Sequence, residues 1–213
     1  QLNMEDPNLI DGFGDSCSIF GIAWQNHKNE LANKLPTDDK FVFSACGAAS
    51  IFKRTLFLVS DGYAGHFFCY LEDVDLGWRL QRMGKSCLQI RNAVVLHYGS
   101  HIHGSDSDFA IFYTFRNRAL MLRRNLPFLL FVFLALTGNL MMSPTIIFRY
   151  SWSGKISALK GIIVGLRLAL KEKQIHPDFL LNDFARLFMQ GAFVISPIKI
   201  SKKTRQEQKN FTP

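Results

Sequence analysis

From Asn125 to Phe148 the chain carries no charged side chain, and this stretch of 24 residues constrains the fold more than any other feature. A helix that spans a bilayer needs roughly 20 predominantly apolar residues. Leu126 to Thr137 is almost wholly apolar, Gly138-Asn139 interrupts it, and Leu140 to Phe148 resumes it with Pro144 inside. Gly-Asn and proline punctuate helices. Arg123 and Arg124 precede the run and Arg149 follows it, so positive charge flanks both ends. A clean spanning helix usually shows a charge asymmetry. The pattern favours a membrane-embedded hairpin or interfacial helices, ahead of a true span and ahead of a soluble core.

Charge points the same way. The net charge is +8, and a basic excess attracts anionic partners: nucleic acid, anionic lipid or a phosphorylated substrate. The cations gather around and after the apolar run, at Arg116, Arg118, Arg123, Arg124, Arg149, Lys155 and Lys160, and again in the tail from Lys199. Cations flanking apolar sequence suit a membrane surface better than nucleic acid. With 48% hydrophobic and 20% charged residues, the chain is not a disordered one. Its 20 phenylalanines call for a deep core, a membrane-facing surface, or both. Cys17, Cys46, Cys69 and Cys87 form no C-x-x-C pair and no zinc spacing. They read as reduced thiols of a cytosolic compartment. The chain opens on Gln1 without a signal peptide, and reads as part of a longer product.

Along the chain, residues 1–40 are polar and turn-rich and read as a long surface excursion, with short strands around Ser18–Trp24. Residues 41–46 predict a strand, followed by small residues at Gly47, Ala48 and Ala49 that let backbone approach a neighbour or ligand. Ile51 to Leu58 suits a short helix or a strand. Leu76, Leu80 and Met83 form one apolar stripe, so residues 73–83 predict a helix that Gly84 stops. Residues 87–90 and 93–97 predict strands, and 109–124 a helix with its arginines on one side. An amphipathic stretch follows at 156–173, then a short helix at 179–189 and a basic tail.

The chemistry concentrates at Phe67-Phe68-Cys69-Tyr70-Leu71-Glu72-Asp73-Val74-Asp75. Three carboxylates in four residues repel one another beside aromatic surface, which raises a pKa and suits a general base. The start of a helix opposes this, because the macrodipole stabilises carboxylate charge there. Asp73 also suits a helix N-cap. Asp75 and Arg79 stand at i, i+4 and suit an ion pair.

These residues occur in a recognisable order: Phe43-Ser44-Ala45-Cys46-Gly47-Ala48-Ala49, Phe52-Lys53-Arg54, Phe67-Phe68 leading to Glu72-Asp73-Val74-Asp75-Leu76-Gly77-Trp78-Arg79, Ala93-Val94-Val95-Leu96-His97, and Arg116-Asn117-Arg118. From about residue 9 to 127 the chain resembles the C-terminal half of family 2 glycosyltransferases, in particular the bacterial rhamnosyltransferase-like enzymes of cell-surface polysaccharide synthesis. The resemblance implies an α/β chain: a partial GT-A fold, its acceptor-side half, followed by membrane-associated helices. The apolar and amphipathic pattern makes 126–198 membrane-associated helices and the charge pattern makes 199–213 a basic tail, while the resemblance assigns 1–125 to the glycosyltransferase domain.

It further implies inverting transfer of a sugar from a nucleotide-sugar donor to a glycan or lipid-linked acceptor, with no nucleic acid involved, at the cytoplasmic face of the cell membrane. Asp73, with Glu72 beside it, stands at the position of the base that deprotonates the acceptor hydroxyl. Gly47, Ala48, Asp75, Arg79 and Arg54 with Lys53 stand at substrate-binding positions. His97 stands where a histidine helps coordinate a divalent metal (Mg²⁺ or Mn²⁺) or touches the diphosphate. His101 and His103 lie in a loop, 99–107, that suits closure over donor phosphates or a plain surface loop. The family's Asp-x-Asp motif for metal and diphosphate normally precedes the matching region. Asp38-Asp39 is out of place for it and lacks a preceding apolar strand. The expectation is an acceptor half with its base and without the donor half. A non-catalytic, membrane-associated module that binds a glycan or partner is the alternative. A paired-carboxylate hydrolase would need a second acid across a cleft, which the sequence does not show.

Overall fold

A computed structural model describes residues 1–99 and 106–173. The chain is mixed α/β. Its strands are β1 (Leu2–Asn3), β2 (Asp15–Cys17), β3 (Ala23–Gln25), β4 (Lys40–Val42), β5 (Cys87–Gln89) and β6 (Leu96–His97). Its helices are α1 (Arg54–Val59), α2 (Glu72–Arg82), α3 (Asp108–Asn125), α4 (Phe128–Arg149) and α5 (Trp152–Ala169). The strands pair in twos: β1 with β6 in parallel, β2 with β3 and β4 with β5 antiparallel. The expected helix at 179–189, the basic tail, His101 and His103 lie outside the described residues.

The segment read as a surface excursion is partly core. Ile10, Asp11, Phe13, Asp15 and Cys17 are buried, and β2 and β3 make a hairpin through the turn at 18–22. The chain bends at Asp11 and at Phe13-Gly14 and folds inward there: a Cβ on Gly14 would meet Val42. The strand expected at 41–46 ends at Val42, where backbone pairing passes to an isolated bridge between Asp15 and Ser44. α2 then packs straight onto this segment, because Gly77 has no side chain where a Cβ would strike that of Ser44. Gly84, at φ 73°, stops α2 as expected.

α3 is the central helix, with buried residues on most of its circumference. α5 lies against it on a stripe of small residues, Gly154, Ala158, Gly161, Gly165 and Ala169, all buried. A Cβ on Gly161 or Gly165 would stand 2.5 Å from the carbonyl oxygen of Phe112 or Arg116, so the two backbones are in direct contact. Small residues permit that approach. Phe67, Val74, Trp78, Leu120, Met121 and Phe131 fill the main core between α2, α3 and α4.

The apolar run is not a hairpin. It is one helix, α4, that passes through Gly138-Asn139 and Pro144 without a break. The reason is tertiary. Arg118 of α3 donates to Asn139 Oδ1 and, at 2.8 Å, to the carbonyl of Phe20, and Gly138 has no side chain to obstruct it. α4 is long and apolar enough to cross a membrane, the one such helix among the described residues. Leu129 (81% exposed), Leu140 (74%) and Phe148 (85%) project from it into solvent.

Candidate active site

The acidic cluster opens α2, as its sequence position predicts. Leu71 precedes the helix in left-handed conformation and no side chain caps the end. Asp73 is half-buried and is not the N-cap; it belongs to the first turn. Its Oδ2 accepts from the backbone N–H of Gly47 at 2.8 Å and its Oδ1 from that of Val74 at 2.8 Å. Gly47 is close enough that a Cβ there would lie 3.4 Å from Oδ2, in ordinary contact. Asp73 lines a small cleft together with Ala45, Phe52, Gly77, Leu80, Gln81, Lys85, Ser86 and Cys87.

Burial and hydrogen bonding pull the Asp73 carboxyl in opposite directions. Burial raises its pKa, the N–H groups of Gly47 and Val74 lower it, and the net shift is upward. Glu72 is raised too, by burial first, with the Asp73 charge adding to it. Asp15 is held well above the ordinary carboxylate range by burial, then by the charge of Asp73. At Asp73 it is burial, not repulsion between carboxylates, that outweighs the hydrogen bonds to backbone N–H groups at the helix start.

Asp75 is a different kind of residue. It is fully buried, and so is Arg79. Asp75 Oδ2 takes Arg79 Nε at 2.9 Å, and Oδ1 takes Asn125 Nδ2 at 2.9 Å and Arg124 Nε at 3.4 Å. Arg79 also donates to the carbonyls of Ser60 and, at 2.6 Å, Gly62. Arg124 continues outward to Glu172 at 3.2 Å. The substrate-binding expectation for Asp75 and Arg79 is corrected accordingly. Neither reaches the surface, and both spend their hydrogen bonds fastening α2 to α3 and to the 60–62 turn. The ion pair at i, i+4 is present.

Of the remaining expected residues, Gly47 and Ala48 are exposed beside Asp73, and Gly47 contributes its N–H. Lys53 and Arg54 are exposed at the start of α1. His97 Nδ1 lies 2.7 Å from Asp11 Oδ2, and Lys28 Nζ lies 3.7 Å from Asp11 Oδ1. Asp11 and Asp15 escaped the sequence reading because they sit in turn-rich sequence that looks exposed. Asp39, weighed as a metal ligand, accepts the N–H of Arg91 at 2.7 Å and ties the β4–β5 pair together. Among the described residues no group of three or more His, Cys, Asp or Glu side chains is placed to hold a metal ion. His97 and Asp11 offer two donors, short of the full shell that Mg²⁺ requires.

Over 103 residues the chain is 30% identical to the N-acetylglucosaminyl-diphospho-decaprenol L-rhamnosyltransferase of Mycobacterium tuberculosis, in strains CDC 1551 / Oshkosh and ATCC 25618 / H37Rv alike. The match covers 47% of this chain and 33% of each relative, so it spans about a third of the length of these curated relatives. No family model matches the chain, and no solved structure matches it. The chain is thus a distant relative of a glycosyltransferase.

Proposed function

We propose that this chain carries the acceptor side and the general base of an inverting family 2 glycosyltransferase with a GT-A fold. The observation that carries the reading is the Asp73 carboxylate. It is half-buried on the first turn of α2, fixed by the N–H groups of Gly47 and Val74, and part of the lining of a cleft. Its raised pKa makes it a better proton acceptor than a solvated aspartate. In the proposed step an acceptor hydroxyl gives its proton to Asp73 as its oxygen bonds to the anomeric carbon. The bond from that carbon to the nucleoside diphosphate breaks on the opposite face, which inverts the configuration. Glu72 lies beside the base, and its own carboxyl is raised by burial first and then by the Asp73 charge.

The nucleotide-sugar donor, a glycan or lipid-linked acceptor and a role in cell-surface polysaccharide synthesis belong to the same proposal. So does a divalent metal, with Asp11 and His97 as partial ligands. The printed name of the relatives makes an N-acetylglucosaminyl-diphospho-prenol a rational first acceptor and rhamnose a rational first sugar. The exposed apolar face of α4 supports a place at the membrane surface. The four free thiols suit its reducing, cytoplasmic side. The alternative is a membrane-associated module that binds a glycan or partner without turnover.

The test is sugar transfer by the intact protein that carries this sequence, compared with its Asp73→Asn variant. General-base removal costs roughly 100- to 10,000-fold in rate. A loss of that size, with circular dichroism and melting temperature unchanged, supports the reading. Unchanged turnover sinks the base assignment, and glycan binding without any turnover in the parent favours the module.

A further inference from the structure

The segment 65–71, just before the carboxylates, holds three of the non-glycine residues with left-handed backbone: Phe68 (φ 66°), Tyr70 (66°) and Leu71 (67°). Bulky side chains avoid this region, and such conformations persist only where surrounding contacts over-determine them. Here α3 supplies the contacts. Asn117, wholly buried, brings its Nδ2 to the carbonyls of Phe67 (3.0 Å), Cys69 (2.7 Å) and Tyr70 (2.8 Å). Arg116 beside it donates to the carbonyls of Phe67 (3.3 Å) and His66 (2.9 Å).

This clamp has two products that point in opposite directions. Phe67 is driven into the core with no exposed surface, while Phe68 is turned outward and left 72% exposed. Phe68 has aromatic neighbours. Its ring lies 5.4 Å from that of Tyr113 at a tilt of 37°, and 6.3 Å from Phe109. Phe109 in turn meets Tyr113 at 4.7 Å and Tyr70 at 6.4 Å. The Arg116 guanidinium sits over the Tyr113 ring at 5.5 Å. Core packing does not explain a phenylalanine held in a disfavoured conformation in order to face solvent.

We infer that Phe68, with Tyr70, Phe109 and Tyr113, is a stacking platform for a pyranose ring of the acceptor, set five residues before the base. The inference rests on the transferase reading and deepens it by naming an acceptor subsite. The C–H bonds on one face of a pyranose carry partial positive charge and lie well on the negative face of an aromatic ring. The sugar's edge carries hydroxyls, and the tyrosine hydroxyls of Tyr70 and Tyr113 supply polar partners in the same cluster, while Arg116 spends its Nη groups on the Phe67 and His66 carbonyls and Asn117 Oδ1. A lipid chain has no use for those partners, which is why a sugar is the better occupant. Fixing the platform beforehand, through Asn117, removes an ordering cost from binding.

Saturation-transfer NMR on the protein with methyl pyranosides (gluco, galacto, manno and N-acetylglucosaminide) tests this. The wild type should pass saturation to the ring protons of at least one of them. Phe68→Ala should weaken that contact at least tenfold without moving the melting temperature, since the side chain is exposed, and Phe68→Trp should restore it. Silence from the wild type with all four sugars overturns the platform, as does a Phe68→Ala variant that binds like wild type. Loss of binding to phosphatidylglycerol vesicles in Phe68→Ala with sugar contact intact also overturns it, in favour of a lipid contact. Asp73→Asn should keep the sugar contact. Full turnover in that variant would remove the base assignment and leave the platform result standing, so the two failures are distinguishable.

Discussion

Two aspartates two positions apart do opposite work in this chain. Asp73 lines a cleft and is held by backbone N–H groups; Asp75 looks inward and is held by Arg79, Arg124 and Asn125. Successive positions on a helix turn by about 100°, so carboxylates two apart point to nearly opposite sides. Which side is core depends on what packs there. The crowding of Glu72, Asp73 and Asp75 was legible, and so was the pairing of Asp75 with Arg79. The arrival of Arg124 and Asn125 from 50 residues away was not.

Two predictions belong to this scale. Burial raises the Asp73 carboxyl above the ordinary aspartate value of 3.8, and as the proposed base it must be ionised to act. The rate should therefore fall as pH drops, with a kcat/KM midpoint above 3.8, and a midpoint at or below 3.8 would contradict the burial argument. The same shift acts on stability. A carboxyl raised in the folded state favours folding below its unfolded value, and that contribution is lost as pH rises through the folded one. Asp75→Ala should be much worse for stability than for local charge. It leaves Arg79 and Arg124 buried without their carboxylate, a loss of roughly 3–5 kcal/mol. Urea unfolding measures it, and a change under 1 kcal/mol would mean that water reaches the site.

At the scale of elements, helix limits are legible to within a residue for α2 and α3, because apolar periodicity and Gly84 mark them, while the amphipathic stretch at 156–173 lies four residues further along the chain than α5 at both ends. The course of α4 is not legible. Gly138-Asn139 and Pro144 read locally as breaks, yet the helix continues because Arg118 engages Asn139 and Phe20. The hydroxyls of Thr137 and Ser143 turn back onto carbonyls of their own helix, at Phe133 and Leu140. The α3–α5 contact depends on absent side chains. Gly165→Val places methyl groups where the Arg116 backbone lies. It should destabilise by about 1–3 kcal/mol or more, as overpacking does. Chemical denaturation checks it, with Gly65→Val as the control, since nothing lies within 4 Å of a Cβ at Gly65.

Across the whole molecule, the charge tally misled about where the arginines act. Arg116, Arg118 and Arg124 were counted toward a basic membrane-facing surface, yet they hold the 66–67 carbonyls, α4 and Asp75. Arg149 pairs with Asp106 at 3.0 Å. What α4 presents outward is apolar. Membrane binding, if the proposal holds, should therefore be driven by buried apolar area. Sedimentation with vesicles should change little between 0.1 M and 0.5 M salt, a range over which the screening length shortens by more than half from ~10 Å. Loss of binding in high salt would return the role to the cations.

The sequence by itself determined the acidic helix start, the i, i+4 pair, the small-residue neighbourhood at Gly47 and the presence of a long charge-free apolar stretch. Each is a matter of residues close along the chain, where spacing fixes geometry. Only the tertiary structure decided which of the three acids lines a cleft, which arginines are internal, that Asp11 and Asp15 are buried, and that the apolar run is one helix. Those outcomes turn on contacts between segments distant in sequence, such as Arg118 with Asn139, Arg124 with Asp75, and Asp11 with His97. Periodicity carries no information about partners of that kind, because burial is a property of what arrives to cover a residue.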